Sequence, residues 1–158
     1  MSGSSVPDSL SYIRILRNNR SMDLQHTHSV FIAYDDEDDR LLLQYAFAKH
    51  SPECQLFFAE DGLALLDALA TINSEPCLII LDLNMPRLNG LEALQILRHN
   101  SRYADTPIVI LTTSNEATDR ADAYAFGANE FLTKPLSLDL LGQTVYHLRK
   151  AWHLDQCV

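Results

Sequence analysis

From Val30 onward, short apolar runs alternate with stretches in which apolar residues recur at helical spacing, the pattern of successive strand–helix units. The runs are Val30–Tyr34, Gln55–Ala59, Cys77–Leu81, Pro107–Leu111 and the briefer Glu130–Thr133. Cys77–Leu81 is wholly apolar, which suits a strand covered on both faces in a parallel sheet. Between the runs, Leu41, Leu42, Tyr45, Ala46 and Ala48 or Lys49 predict one helix, and Leu63, Leu65, Leu66, Leu69 and Ile72 a second. A third runs from about Leu91 to Arg98, and a fourth from about Glu116 to Phe126, with Gly127 at a natural C′ position. A fifth starts near Ser137 and carries Leu138, Leu141, Val145, Leu148 and Trp152. Five strands and five helices joined by short right-handed crossovers make a doubly wound α/β sheet.

The apolar run Cys77–Leu81 ends abruptly on Asp82, and Met85-Pro86 and Gly90 follow. Pro86 stops the strand and biases Met85 to an extended conformation, so Asp82 sits at a strand's carboxyl end, where open parallel sheets collect ligands. Other strand ends carry comparable groups: Asp35 and Asp36 after the first, Thr112 after the fourth, Lys134 after the fifth. In the flavodoxin-like order 2-1-3-4-5, strands one and three are neighbours and bring the acidic pair beside Asp82. Three carboxylates there repel one another. A hard divalent cation relieves that repulsion, and Mg²⁺ suits a site that also holds phosphate. The Lys134 ammonium and the Thr112 hydroxyl can then bind phosphoryl oxygens, and an unprotonated Asp82 is the nucleophile that becomes an acyl phosphate. Taken singly, each residue has an ordinary role: a solvated helix entry, a turn, a loop. Their joint occurrence at strand ends, in this order, favours phosphoryl chemistry.

Composition narrows the class. The 158 residues hold 47% hydrophobic and 21% charged positions, enough for one core of ordinary size. Twelve basic residues against 21 acidic ones give a net charge of −9, and no basic stripe interleaves with aromatics, which argues against nucleic-acid binding. No apolar run reaches the ~20 residues of a bilayer span, and the N-terminus lacks the plan of a signal peptide; a cytoplasmic protein with no membrane partner is expected. Cys54, Cys77 and Cys157 have no metal-ligand spacing and imply no disulfide framework. The EF-hand and glycine-loop nucleotide motifs are absent. Residues 1–28 read as a partly ordered leader with a basic amphipathic patch from Tyr12 to Arg20, residues 29–150 as the single domain, and residues 151–158 as a tail continuing the last helix.

The chain from about Val30 to Lys150 resembles a response-regulator receiver domain of two-component signalling. The resemblance rests on Tyr34-Asp35-Asp36-Glu37, Leu81-Asp82-Leu83-Asn84-Met85-Pro86 with Gly90, Leu111-Thr112-Thr113, Gly127-Ala128-Asn129 and Lys134-Pro135. It implies that Asp82 accepts phosphoryl from a sensor histidine kinase or phosphotransfer protein. It also implies Mg²⁺ on Asp36, Asp82 and the carbonyl of Asn84, with Asp35 acting largely through water, and Thr112 and Lys134 on the phosphoryl group. Phe131 stands at the position of the switch aromatic, commonly tyrosine, and Asn84 and Ser114 at positions that tune dephosphorylation. A cis Lys134-Pro135 bond is also implied. A weaker likeness, in Leu111–Asn115 and Tyr146–Trp152, is to stand-alone regulators paired with phytochrome-type kinases.

Two departures stand out. Tyr34 replaces the usual aliphatic residue, and a long leader precedes the first strand. With the chain ending at Val158, output is expected through protein contacts, with a downstream target or a second subunit in a homodimer. The protein is then a switch rather than an enzyme, beyond self-phosphorylation from small donors and autodephosphorylation. On phosphorylation, Thr112 moves toward the phosphoryl group and Phe131 turns into the space released. Two rivals remain open at this level: a constitutive binding module, and an aspartyl-phosphate hydrolase, for which no added acid–base residue is evident.

Overall fold

The computed structural model describes residues 28–156 except Ser74; the leader, its Tyr12–Arg20 patch and Cys157 lie outside the described residues. Five strands, β1 (His28–Ala33), β2 (Cys54–Ala59), β3 (Pro76–Leu81), β4 (Ile108–Thr112) and β5 (Glu130–Thr133), form one sheet in the order β2-β1-β3-β4-β5. Every pairing is parallel, with Phe31 opposite Phe57 and Ile79, Ile80 opposite Val109, and Ile110 opposite Phe131. Parallel neighbours need crossovers, supplied by the helices α1 (Glu37–His50), α2 (Gly62–Thr71), α3 (Gly90–Arg98), α4 (Ala117–Ala125) and α5 (Leu138–Ala151). A short 3₁₀ turn at Ser101–Tyr103 precedes β4.

Alternation along the strands splits the core in two. Phe31, Phe57, Ile79, Leu81 and Ile110 face α2 and α3, with Phe31 and Phe57 stacked at 4.8 Å. Val30, Ile32, Phe58, Leu78, Ile80 and Val109 face α1 and α5. Covering both faces explains why β3 and the run Val30–Ala33 of β1 are apolar at successive rather than alternate positions, while the edge strand β5 is only partly buried. The helices start on side-chain caps: Asp36 for α1, Asp61 for α2, a full Asn89–Glu92 capping box for α3 and Ser137 for α5.

Three expectations need correction. The buried face of α1 is Arg40, Leu43, Ala46 and Phe47, while Leu41, Leu42 and Tyr45 are exposed; three consecutive leucines fit more than one helical phase. The last helix does not continue into the tail: it stops at Ala151, His153 takes a left-handed φ of 54°, and the chain turns to bury Leu154. Cys77 is disulfide-bonded whereas Cys54 is free and buried, although the cysteine spacing implies no disulfide framework. Among the described residues no helix is long and apolar enough to cross a membrane.

Candidate functional site

The site lies at the carboxyl ends of β1, β3, β4 and β5. Two backbone hydrogen bonds bring those ends together: the Asp82 amide donates to Ala33 O at 3.1 Å, and the Lys134 amide to Thr112 O at 2.6 Å. Asp82 is half-buried, Thr112 wholly buried, and Asp35, Asp36 and Asn84 are exposed at the rim. One Asp82 oxygen accepts the Leu83 amide at 2.8 Å. Burial pushes the Asp82 carboxyl above its ordinary value; hydrogen bonds from Thr112 and the Leu83 amide and the charge of Lys134 oppose the rise, and Asp35 adds to it. A carboxylate held this way is poorly solvated and close to a cation, which suits a nucleophile.

Lys134 makes its ion pair with Asp39, one turn into α1. Its ammonium also lies 5.6 Å from the centre of the Tyr34 ring. Neither contact is visible in the sequence, where Tyr34 stands out only as a departure from the usual aliphatic residue. Asp39 could have been found from helical phase: Asp36 and Asp39 are three apart and share a face. The Asp36 carboxylate caps α1 through one oxygen, accepting from the amides of Asp38 at 2.8 Å and Asp39 at 3.2 Å.

The donor chemistry fits a hard divalent cation. The Asp36 cap bonds use a single carboxylate oxygen, and Asp35 lies close enough to raise the Asp82 pKa. Among the described residues no three acidic side chains converge to hold a metal by themselves. Mg²⁺ tolerates that arrangement, since it keeps several waters and takes only one or two carboxylates.

The loop after Asp82 is built for close approach. The Gly90 amide donates to Leu83 O at 2.9 Å, and a Cβ on Gly90 would sit 2.9 Å from the Asp82 carbonyl carbon and closer still to its oxygen. No larger residue fits behind Asp82. The same loop is tied to the β2–α2 turn, where Arg87 Nε meets the buried carboxylate of Asp61 at 2.6 Å and the Gly62 amide donates to Leu88 O at 3.0 Å. Arg87 takes a φ of 65° to reach it. The one strand end that seemed to lack chemistry thus braces the one that has most.

The remaining expected residues are placed as follows. Ser114 Oγ donates to Asp119 at 2.6 Å, and the Ser114 amide leans on Thr112 Oγ1 at 3.4 Å. Phe131 is already buried, its ring 5.0 Å from the Arg120 guanidinium carbon and its amide donating to Tyr124 Oη at 3.0 Å. The described residues contain no cis peptide bond, so Lys134-Pro135 is trans, the form that X–Pro bonds favour.

The family described as the response regulator receiver domain matches residues 30–146. The chain is similar to the probable methanogenesis regulatory protein FilR2 of Methanothrix harundinacea, 31% identical over 78% of this chain and 82% of that one. It is similar to response regulator Rcp1 of Synechocystis, 30% identical over 78% of this chain and 87% of that one. Among solved structures, the phosphorylated cyanobacterial phytochrome response regulator RcpA superposes with a TM-score of 0.74 at 28% identity, covering 79% of this chain and 93% of its own. The Mn²⁺-bound form of Rcp1 gives 0.72 at 29%, covering 82% and 96%. The sheet order, the strand-end residues and a family match across most of its length agree: the chain belongs to the response regulator receiver domain family of two-component signalling.

Proposed function

We propose that Asp82 is the phospho-acceptor of a Mg²⁺-dependent signalling switch. The observation that carries this is the Asp82 carboxylate itself, half-buried, accepting the Leu83 amide and lying beside Thr112 and in the field of Lys134. A receiver domain takes its phosphoryl group from a histidine kinase or phosphotransfer protein. In that transfer an Asp82 oxygen attacks phosphorus, the phosphorus–nitrogen bond breaks, and the imidazole leaves with a proton. Thr112 and Lys134 bind the phosphoryl oxygens, which requires the Lys134 ammonium to leave Asp39. Asp36, Asp82 and the Asn84 carbonyl hold the metal, with Asp35 acting through water. Bound Mg²⁺ supplies neutralisation of charge on the transferred group. The similarity to an Mn²⁺-bound and a phosphorylated regulator supports both parts of this reading.

Phosphorylation adds roughly −1.5 to −2 charges and stabilises the arrangement in which Thr112 reaches Asp82 and Phe131 is buried. Its effect is a shift of population toward that state. Output passes through the face of α4, β5 and α5, where Leu136, Leu140 and Tyr146 are exposed, to a downstream protein or a second copy. Asn84 and Ser114 tune the lifetime of the phosphoryl group. Fluorine NMR with beryllofluoride, a phosphoryl mimic, tests the site. Mg²⁺-dependent bound resonances in the wild type and none in Asp82→Asn are expected; bound resonances that survive in Asp82→Asn would overturn the assignment.

A further inference from the structure

We propose that Tyr34 is a positioning residue for phosphoryl binding: its ring face seats the Lys134 ammonium, and its hydroxyl fixes the end of β4 that carries Thr112. The inference rests on the reading of Asp82, Thr112 and Lys134 as the phosphoryl site, and adds a residue that touches none of the reacting atoms.

Tyr34 follows directly on β1 and is wholly buried. Its backbone is held from two sides: the amide donates to Ala59 O at 3.0 Å and the carbonyl accepts Arg40 Nη1 at 2.6 Å. With the main chain fixed, the side chain has a defined course. Its hydroxyl donates to the carbonyl of Leu111. In this sheet β3 separates β1 from β4, so the phenol crosses below the end of β3, where Asp82 stands. Leu111 immediately precedes Thr112. A hydrogen bond to its carbonyl therefore fixes the peptide from which the Thr112 side chain projects.

The ring serves the other phosphoryl ligand. The Lys134 ammonium lies 5.6 Å from the ring centre, within the range where an aromatic face attracts a cation. The Lys134 side chain is only 18% exposed, and desolvation strengthens such a contact. The Leu111 carbonyl can only accept, so the phenol hydroxyl acts as the donor. When Lys134 exchanges Asp39 for a phosphoryl oxygen, the ring stays beneath it and limits the displacement to a short swing. An aliphatic residue would fill the same space and offer neither contact.

The test uses the full chain as wild type, Tyr34→Phe and Tyr34→Leu. Phe keeps the ring and removes the hydroxyl; Leu removes both. The first readout is the NMR shift of the Lys134 ε-methylene protons. A ring-current displacement is expected in the wild type and in Tyr34→Phe, and its loss in Tyr34→Leu. The second is beryllofluoride affinity at saturating Mg²⁺, with Mg²⁺ affinity measured separately. Tyr34→Leu should bind the mimic roughly tenfold more weakly, as expected for a desolvated cation–aromatic contact. Tyr34→Phe should fall by roughly threefold, the effect of one lost neutral hydrogen bond. Mg²⁺ affinity should stay unchanged in both. Wild-type beryllofluoride affinity in folded Tyr34→Leu, or equal losses in the two variants, would overturn the ring's role. If Tyr34→Leu does not fold, Tyr34→Phe decides: a lost ring-current displacement, or a loss of affinity far beyond threefold, overturns the proposal. Absence of beryllofluoride binding in the wild type would instead remove the phosphoryl reading, while the ring-current signature would still report whether Lys134 sits on Tyr34.

Discussion

At the carboxyl ends of its strands the sheet gathers like charges and leaves several of them exposed, whereas at the amino ends of β4 and β5 it gathers carbonyl oxygens around a single guanidinium. There Arg98 Nε donates to Gly127 O at 2.9 Å, and Nη1 donates to Tyr103 O at 2.7 Å and Thr106 O at 2.9 Å. Nη2 reaches Asn129 Oδ1 at 2.7 Å, an oxygen that also accepts the Ile108 amide at 2.8 Å. Burial lowers the Arg98 pKa, but all three guanidinium nitrogens donate to surrounding carbonyl oxygens. The two ends divide the labour of the domain. One satisfies its polar groups and holds α3, α4 and two strands together; the other keeps carboxylates close enough to repel, a cost that a bound divalent cation would relieve. Stability and function are thus set at opposite ends of the same strands.

Substitutions at the two ends should separate these properties. The largest effect is expected for Asp82→Asn, which should abolish Mg²⁺-dependent phosphoryl uptake. Its Tm should hold or rise, because a half-buried like charge is removed; differential scanning calorimetry checks the second part. Arg98→Ala should do the reverse. Leaving three part-buried carbonyls without their donor should cost about 3 kcal/mol in urea unfolding, while phosphoryl uptake persists below the lowered Tm. Asp39→Asn should act between these extremes. It frees Lys134 from its ion pair and removes one negative charge from an anion pocket, so beryllofluoride affinity should rise by roughly threefold at low salt and less at high salt.

The smallest effect is expected at Glu53, on the far side of the α1–α5 face. Burial pushes its carboxyl up, but Ser51 Oγ at 2.6 Å, the backbone amide and Arg149 Nε at 2.9 Å outweigh that, and the net pKa is lowered. A lowered folded-state pKa contributes stability above the ordinary carboxylate range and loses it as pH falls through the depressed value. Glu53→Gln should therefore be slightly less stable than wild type at neutral pH and equal to it in acid, as read by urea midpoints across that range.

The same contrast explains what could be read from sequence. The strands were legible because buried parallel strands are apolar throughout and stop abruptly, and Asp82, Thr112 and Lys134 stood out because each follows such a stop. The partner of Lys134 was not, because Asp35 to Asp39 offers five chemically equivalent carboxylates and only the helix phase selects Asp39. The α1 face was misread for a similar reason, Leu41, Leu42 and Leu43 being consecutive. The Arg98 hub was hidden because its acceptors are mostly backbone carbonyls, which leave no mark on residue type; Gly127, with φ 104°, and Asn129 were its only visible trace. The expected cis bond before Pro135 came from resemblance alone, and nothing in the residues required it.

Whether Asp82 accepts the phosphoryl group is decided by intact mass after incubation with acetyl phosphate and Mg²⁺, comparing wild type with Asp82→Asn. A single phosphoryl adduct is expected, one that does not form when Mg²⁺ is chelated and is absent from the variant. An adduct of equal yield in Asp82→Asn, or one indifferent to Mg²⁺, would contradict the assignment of Asp82.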